Sequence, residues 1–526
     1  MLVAMGLTTL YLLWLLKPAL EPQQIAFYHW SAPASNFFLP VALDFLGFWF
    51  LLTLLLLATR LRGRVRATLW TALLSFIPWA IVQNLHLLEL APRLHQLDRC
   101  LFLTNILATL LVIAFWRPAF VPRFERIIES TGTVLVFLGL FGVFLILELA
   151  FISGQASWKM RSTHFYLSAT TTVQPHRILW IVFDELSYQQ AFEHRFPDLK
   201  LPAFDSLAST STVFTQAQPF DIYTQNVLPG LLSGKRFDQT RTHALELSLH
   251  NQATGKWQRF DQQDTVFQDA LRAGYRTAVV GWYNPYCRIV PAVLDSCYWA
   301  NRSPTNYMKP SNSLLANILA PMKLYAWSML GPTPGPVFFY FMHHLHISFQ
   351  KVVTRQSQID DYNDLDTHAQ NLLRDQSFNF ILLHLPVPHP PGIYDRRANT
   401  FTTSDVSYMN NLALADKCLA GIRKTLEQTG QWDSSTIVVM GDHSWRTKQI
   451  WRSMLLTYWT PEDELASNGG QYDPRPAYLV KLPNQTSAAR IDTPFQTVNT
   501  RKLFDALMAH QINTPTDLVT WAQTTH

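Results

Sequence analysis

A threonine hydroxyl is a poor nucleophile at neutral pH unless a base or a metal ion holds it as an alkoxide. Thr224, in the stretch DIYTQNVLPGLLSGK, has neighbours along the chain that could supply both. Upstream, the apolar run Ile178 to Phe183 reads as a buried parallel strand ending at Asp184 and Glu185. Downstream, Ile437 to Met440 repeats the design, with Asp442 and His443 just beyond it. The carboxyl ends of parallel strands in an α/β sheet share one crevice, so the two acidic tips are expected to converge. Two carboxylates, an imidazole and an alcohol oxygen would make a ligand set for one divalent cation. The imidazole favours zinc, with manganese or calcium as alternatives. A helix is expected after Thr224, with Pro229 in its first turn, so the helix dipole and free N–H groups would favour an alkoxide and a phosphoryl group. The plainer alternative is that the hydroxyl only caps that helix.

The elements that would position these residues follow from the rest of the chain. Strand-like runs alternate with helical ones: helices near Pro202 to Ala208 and Thr265 to Ala273, then YRTAVVGWY and FNFILLHL as strands. A helix over about Asp405 to Gln428 leads into the Asp442 strand, and AYLVKLP closes the series. Such alternation predicts a helix-flanked, mostly parallel central sheet. Asp416, on the long helix, reads as a surface or packing residue. Cys287 and Cys297 are placed to close a small loop by a disulfide if they lie outside the cytoplasm. The segment 314 to 349 is too broken by Pro and Gly to span a bilayer, and its aromatics suggest a surface lying against a membrane. His343, His344 and His346 within it have no carboxylate in register and read as a wetted helix face.

The order strand-Asp, T-x-N-x-L-P-x-L-L-S-G, HLPVPHPP and strand-GDHS resembles the alkaline phosphatase superfamily in its sulfatase-like branch. The resemblance covers roughly residues 175 to 510. Sulfatases of that branch carry C-x-P-S-R-x-x-L-L-T-G, with the cysteine ten residues before the last glycine, and Thr224 stands ten before Gly234. A threonine cannot become formylglycine, and Leu228 replaces the signature's arginine. The resemblance therefore narrows to the membrane-bound phosphoethanolamine transferases and lipoteichoic acid synthases, which use threonine. It implies one essential metal held by Asp184, Thr224, Asp442 and His443, with Glu185 either a further ligand or a neighbour of the ligands. It also implies that His384 and His389 lie beside the phosphoryl group, as hydrogen-bond donors or as an acid to the leaving group. A structural role is the alternative for either histidine, His389 being pinned between prolines in a loop. The histidine that those transferases carry after the D-H pair is missing from SWRTKQIWRSML, where Arg446 or Lys448 could bind phosphate instead.

Composition adds the setting. The 526 residues are 48% hydrophobic and only 15% charged, too apolar for a wholly soluble chain. The excess sits at the front, where five segments are read as membrane spans: about 1 to 16, 38 to 59, 67 to 88, 101 to 116 and 132 to 152. A cleavable signal peptide, the competing reading of the first, lacks a basic start and a small-x-small cleavage site. Arg60, Arg62, Arg64 and Arg66 in one loop and Arg117, Arg123 and Arg126 in another place those loops inside. The N-terminus is then cytoplasmic and everything after about residue 153 lies outside. Asp44, Gln83 and Asn84 read as interfacial residues near span ends. The expected organisation is a membrane domain over 1–153, a linker over 154–175 and an extracytoplasmic α/β domain over 176–526.

Together these readings predict a multi-pass protein of a bacterial cytoplasmic membrane. It would carry a phospho-substituent from a phospholipid, through phosphothreonine, to an envelope glycan or lipid. A hydrolase of phosphate or sulfate esters and a non-catalytic scaffold are the alternatives. The net charge of +5 follows from the arginine-rich loops and gives no reason to expect nucleic-acid binding.

Overall fold

The structure is a computed structural model. It describes residues 1–13, 35–58, 64–87, 121–159, 176–243, 246–302, 313–319, 336–451 and 458–525, with a few isolated positions between them. The chain divides into two compact units. One comprises Met1–Ile25, Trp30–Arg161 and Thr305–Gln350, and the other Ala26–His29, Ser162–Pro304 and Lys351–His526.

The second unit is built on an eight-stranded sheet. Its strands are β1 (Ile178–Phe183), β2 (Thr212–Phe214), β3 (Thr277–Trp282), β4 (Ser296–Ala300), β5 (Phe380–Leu385), β6 (Thr436–Gly441), β7 (Tyr478–Lys481) and β8 (Ala489–Ile491). The spatial order is β8-β2-β7-β6-β1-β5-β3-β4. Within this sheet only β7 runs against the others, so it is mostly parallel, as expected. Every residue of β1, β3, β5 and β6 is buried. Because side chains alternate along a strand, these runs feed two separate cores. Ile178, Trp180 and Val182 face one core, with Val227 and Leu231 of the helix Thr224–Ser233 and Phe504 of the helix Thr500–Met508. Leu179, Ile181 and Phe183 face the other, with Phe204 of the helix Pro202–Ala208 and Leu412 and Leu419 of the helix Tyr408–Gln428.

The long helix starts at Tyr408, with Ser407 in the extended N-cap conformation, three residues later than the sequence suggested. Asp416 packs as read. Its carboxylate accepts hydrogen bonds from the N–H groups of Ala203 and Phe204, both at 2.9 Å, and so anchors the shorter helix to the longer one. A three-stranded antiparallel sheet, Phe237–His243, Glu246–Asn251 and Lys256–Arg259, was not anticipated. Its middle strand, ELSLHN, buries only every other residue and carries too few apolar side chains to stand out.

The expected disulfide is present: Cys287, in the short helix Tyr286–Ile289, is bonded to Cys297 on β4, with Cα atoms 5.5 Å apart. Cys418 is a buried thiol and Cys100 lies outside the described residues. Replacing Cys287 and Cys297 by serine is expected to lower stability by about 2–3 kcal/mol through the freed loop in the unfolded chain. Thermal melts of the variant, and of the wild type with reductant, check this; a variant melting with the wild type would show that the bridge contributes nothing.

In the first unit, two described helices are long and apolar enough to cross a membrane: Phe38–Ala58, of 21 residues, and Phe124–Phe151, of 28. Their outward residues, among them Phe50, Leu54, Phe137 and Leu147, are exposed apolar side chains suited to lipid. The other expected spans differ. The first is the short helix Leu2–Leu12, which lies so close to the helix Val121–Lys159 that a Cβ on Gly6 would stand 2.0 Å from the Leu135 carbonyl oxygen. The third is broken at Phe76 into helices Arg64–Ser75 and Ile77–Leu87, because Pro78 has no N–H to give to the Leu74 carbonyl one turn back. Most of the fourth lies outside the described residues.

Asp44 and Asn84 are not solvated at an interface as read; both are buried. Asn84 donates from Nδ2 to the carbonyls of Leu10 and Ala80, each at 2.8 Å, tying two helices together. The last helix continues through Lys159, into the stretch read as linker; residues 160–175 lie outside the described set. His343, His344 and His346 are on the helix Pro336–Arg374, but their side chains fall outside the described residues.

Candidate active site

Sheet register brings the acidic tips together. Phe183 pairs with Gly441 on one side and Leu385 on the other, so Asp184 and Asp442 emerge side by side at the carboxyl ends of β1 and β6. Val182 and Gly281 both pair with His384, which sets that histidine on β5 one step below the same tip. The chain leaves β1 sharply: Glu185 has φ +65°, a left-handed conformation that few non-glycine residues adopt. Its N–H donates to Asp442 Oδ1 at 3.0 Å, and its carbonyl accepts from the Tyr408 hydroxyl at 2.7 Å. The strained turn is thus held from both sides.

Thr224 is the first residue of its helix, and the N-cap is Tyr223, with no side-chain cap bond. The capping reading fails: the Thr224 hydroxyl donates to Asp184 Oδ2 at 3.1 Å and lies 3.3 Å from His443 Nε2. Pro229 sits in the second turn, not the first, and leaves the Gln225 carbonyl without its intrahelical N–H donor. The Thr240 hydroxyl replaces that bond at 3.1 Å. Gly234 ends the helix at φ +69°, which accounts physically for a glycine ten residues after Thr224.

The donor set fits a divalent cation. Asp184 Oδ1, Asp442 Oδ2 and His384 Nε2 are fully buried, and none has a hydrogen-bond partner among the described residues. One ligand atom from each of the three residues lies within 4.8 Å of the others. His443 Nδ1 lies 3.0 Å from the Ser444 carbonyl; with its proton donated there, Nε2 presents a lone pair 3.3 Å from Asp442 Oδ2. Acceptors facing one another without a proton between them are what a shared cation neutralises. Without one, burial and then the Asp442 charge raise the Asp184 carboxyl well above the usual range, and burial also raises Asp442. Burial lowers His384 to about 4 and lowers His443 as well, so both imidazoles are neutral and able to ligate.

His384 lies in the strand expected from FNFILLHL and is fully buried among the carboxylates, with Nε2 3.5 Å from Asp184 Oδ2. The Tyr286 hydroxyl, 2.9 Å from Nδ1, orients the ring. Tyr286 reaches β3 only because residue 281 is glycine: a Cβ there would stand 2.3 Å from the tyrosine ring. Sequence reasoning missed Tyr286, and its only signal was its place beside Cys287. His389, beyond the strand, keeps 17% of its side chain exposed, with Nε2 3.6 Å from Glu185 Oε1 and its ring 5.2 Å from Trp282.

Glu185 and Arg446 pair. Arg446 Nε donates to Glu185 Oε1 at 2.6 Å, its backbone N–H to Oε2 at 3.2 Å, and a terminal nitrogen to the Ile222 carbonyl at 3.2 Å. The guanidinium also lies 4.1 Å from the centre of the Trp451 ring. Arg446 is therefore mainly an internal counter-ion. Lys448, the other phosphate candidate, bridges to Glu464 at 2.5 Å with both side chains 42% exposed. Burial pushes the Glu185 carboxyl up to about 7 despite its partner. Arg446→Met is expected to cost about 3–5 kcal/mol by stranding that carboxylate, and adding Glu185→Gln should restore most of it. Urea denaturation of the single and double variants checks this; equal stability of the single variant and wild type would show the pair to be energetically idle.

A threonine at a helix start, facing a buried carboxylate and imidazole cluster at parallel strand tips, defines a sulfatase-like α/β domain of the alkaline phosphatase superfamily. The chain belongs to the sulfatase family, whose model matches residues 176–495; members bind a divalent metal. Similar solved structures include a sulfatase from the glycosaminoglycan-metabolism locus of Bacteroides thetaiotaomicron, at 13% identity, 67% of this chain, 83% of that chain and a TM-score of 0.45. The lipoteichoic acid synthase LtaP of Listeria monocytogenes is similar at 13% identity, 62% and 70% coverage and 0.35. The phosphonate monoester hydrolase of Agrobacterium radiobacter is similar at 13%, 67% and 78%, and 0.38. No curated protein matches the chain by sequence.

Proposed function

We propose that this protein is a membrane-anchored transferase that moves a phospho-substituent, of phosphoethanolamine or phosphoglycerol type, from a phospholipid to a hydroxyl of an envelope glycan or lipid. The observation that carries the reading is the Thr224 hydroxyl, set between Asp184 Oδ2 and His443 Nε2 instead of capping its helix. A threonine there suits a phosphothreonine intermediate and cannot provide the formylglycine of the true sulfatases. Asp184, Thr224, Asp442 and His443, joined by His384, would hold one divalent cation, zinc before manganese or calcium on this donor set, which supplies Lewis-acid stabilisation of the alkoxide and the phosphoryl charge.

The chain's own residues do the rest. The hydroxyl proton has two acceptors within reach, His443 Nε2 and Asp184 Oδ2. Thr224 Oγ1 bonds to phosphorus as the bond to the lipid alcohol breaks. Burial holds the His389 imidazole well below its usual pKa, so His389, partly exposed beside Glu185, is placed to hydrogen-bond the departing oxygen, which takes its proton from water. The acceptor hydroxyl then attacks phosphorus, and Thr224 departs with its proton restored. Helix Thr224–Ser233 points its positive end at the charge that develops.

The two long apolar helices support an anchor in the bacterial cytoplasmic membrane. The 2.6 Å ion pair between Arg66 and Glu125 supports arginine-rich ends of two helices lying on one side. The disulfide suits an oxidising, extracytoplasmic location for the catalytic unit.

Intact-protein and peptide mass spectrometry of the full-length protein, incubated with phosphatidylethanolamine or phosphatidylglycerol vesicles, tests the reading. A mass added to the Thr224 peptide is expected, and its size identifies the group. Free headgroup phosphate released to water, with metal bound and no lasting adduct, would instead establish a hydrolase. The sulfatase-family match favours that second reading.

A further inference from the structure

We infer that a groove lined by Gln189, Gln216, Gln471 and Tyr472 is a binding site for a neutral sugar, so that the acceptor hydroxyl belongs to a glycan. The catalytic meaning rests on the transferase reading above; the site itself rests on its own geometry. The groove is open to solvent and offers about 570 Å³, within the size range of small-molecule sites.

Its walls continue the segments that carry the catalytic groups. Gln189 follows the Asp184–Glu185 tip, and Gln218 and Pro219 lead directly to Thr224. Residues 475 to 477 run hydrogen-bonded along residues 186 to 188, with Tyr188 N–H to the Arg475 carbonyl at 3.0 Å and Ala477 N–H to the Leu186 carbonyl at 2.8 Å. A ligand in the groove therefore lies beside the strand tips.

The chemistry of the lining selects among ligands. The side-chain amides of Gln189, Gln216 and Gln471, all at least partly exposed, form no hydrogen bond with another described residue, whereas the Tyr472 hydroxyl is wholly buried and offers the groove no polar atom. Each free amide offers both donors and an acceptor, as sugar hydroxyls do, whereas phosphate and sulfate oxygens only accept. The groove's one cation is already neutralised: Arg475 is paired with Asp473 at 2.5 Å and with Glu193, and its Nη1 also faces the Thr215 carbonyl at 3.4 Å. An anionic headgroup would find no free positive charge, and an acyl chain only two prolines, Pro219 and Pro474. Uncommitted amides beside a tyrosine are suited to a polyhydroxylated, uncharged ring.

The test uses the full-length protein in detergent on a printed array of short neutral oligosaccharides, comparing wild type with the double variant Gln216→Ala, Gln471→Ala. Both glutamines are at least partly exposed, so unchanged melting is expected and is checked first. Wild type should bind at least one glycan, and the double variant should bind it about tenfold more weakly or worse. No glycan bound, binding that survives in the folded double variant, or binding displaced by diacylglycerol-containing vesicles in place of sugar would overturn the proposal. The Thr224 adduct, measured on wild type, is read separately. An adduct without glycan binding sinks this proposal alone, and glycan binding without an adduct sinks the transferase reading while leaving the site.

Discussion

Thr224→Ala is expected to lower turnover by about ten-thousand-fold or more, since in the proposed mechanism Thr224 carries the covalent intermediate. The fold should change little: the substitution removes one hydrogen bond, to Asp184, worth about 1 kcal/mol. Thr224→Ser keeps the oxygen at the helix start and is expected to retain activity within about a hundredfold, losing only the methyl that restricts the rotamer. Headgroup release and transfer, measured with a phospholipid donor, distinguish the two variants. If alanine supports more than about one hundredth of wild-type turnover, the nucleophile lies elsewhere and a residual water-driven route must be sought. The capping alternative makes the opposite forecast, a loss of stability with activity spared. It has already lost its geometric basis, because Tyr223 is the N-cap.

Asp442→Asn carries the second large effect, and its sign depends on the metal. Asp184 and Asp442 are fully buried neighbours whose negative charges oppose each other when no cation lies between them. Asparagine at 442 removes one of those charges and keeps an oxygen that can still accept the 3.0 Å bond from the Glu185 N–H. In chelator-treated protein the variant is therefore expected to be more stable than wild type, by about 1–3 kcal/mol. In the presence of excess zinc the order should reverse, because wild type gains the linkage free energy of the bound ion and the variant gains little. Metal content by elemental analysis, with melts in chelator and in zinc, reads both halves independently of turnover. A variant that melts below wild type under both conditions, with equal metal content, would show that the cluster is an ordinary buried polar site.

Where sequence and structure part, the reason can be read in particular residues. The apolar runs of β1, β5 and β6 announced themselves because strands buried on both faces need no polar alternation. The sheet of Phe237–His243, Glu246–Asn251 and Lys256–Arg259 did not, because a one-sided strand of charged and polar residues looks like loop. His384 was legible only in part: FNFILLHL placed it in a strand, but nothing local showed that its ring enters the carboxylate cluster. Gln83 and its neighbour Asn84 looked interfacial, yet Asn84 reaches back to the Leu10 carbonyl across a pair of helices no local pattern could pair.

What the sequence determined by itself was the inventory and its local geometry. Two strands end in acid, a threonine opens a helix closed by a left-handed glycine ten residues on, and long apolar stretches stand at the front. These follow from side-chain period, from capping and from hydropathy, which act over a few residues. Only the tertiary structure decided who faces whom. Register sets Asp184 beside Asp442 and His384 within reach of both, turns Arg446 inward to Glu185 and Lys448 outward to Glu464, and puts Tyr286 behind His384. Contacts between residues hundreds of positions apart are fixed by how the sheet packs and by the cost of leaving buried charge unpaired, and neither is a property of any stretch of chain alone.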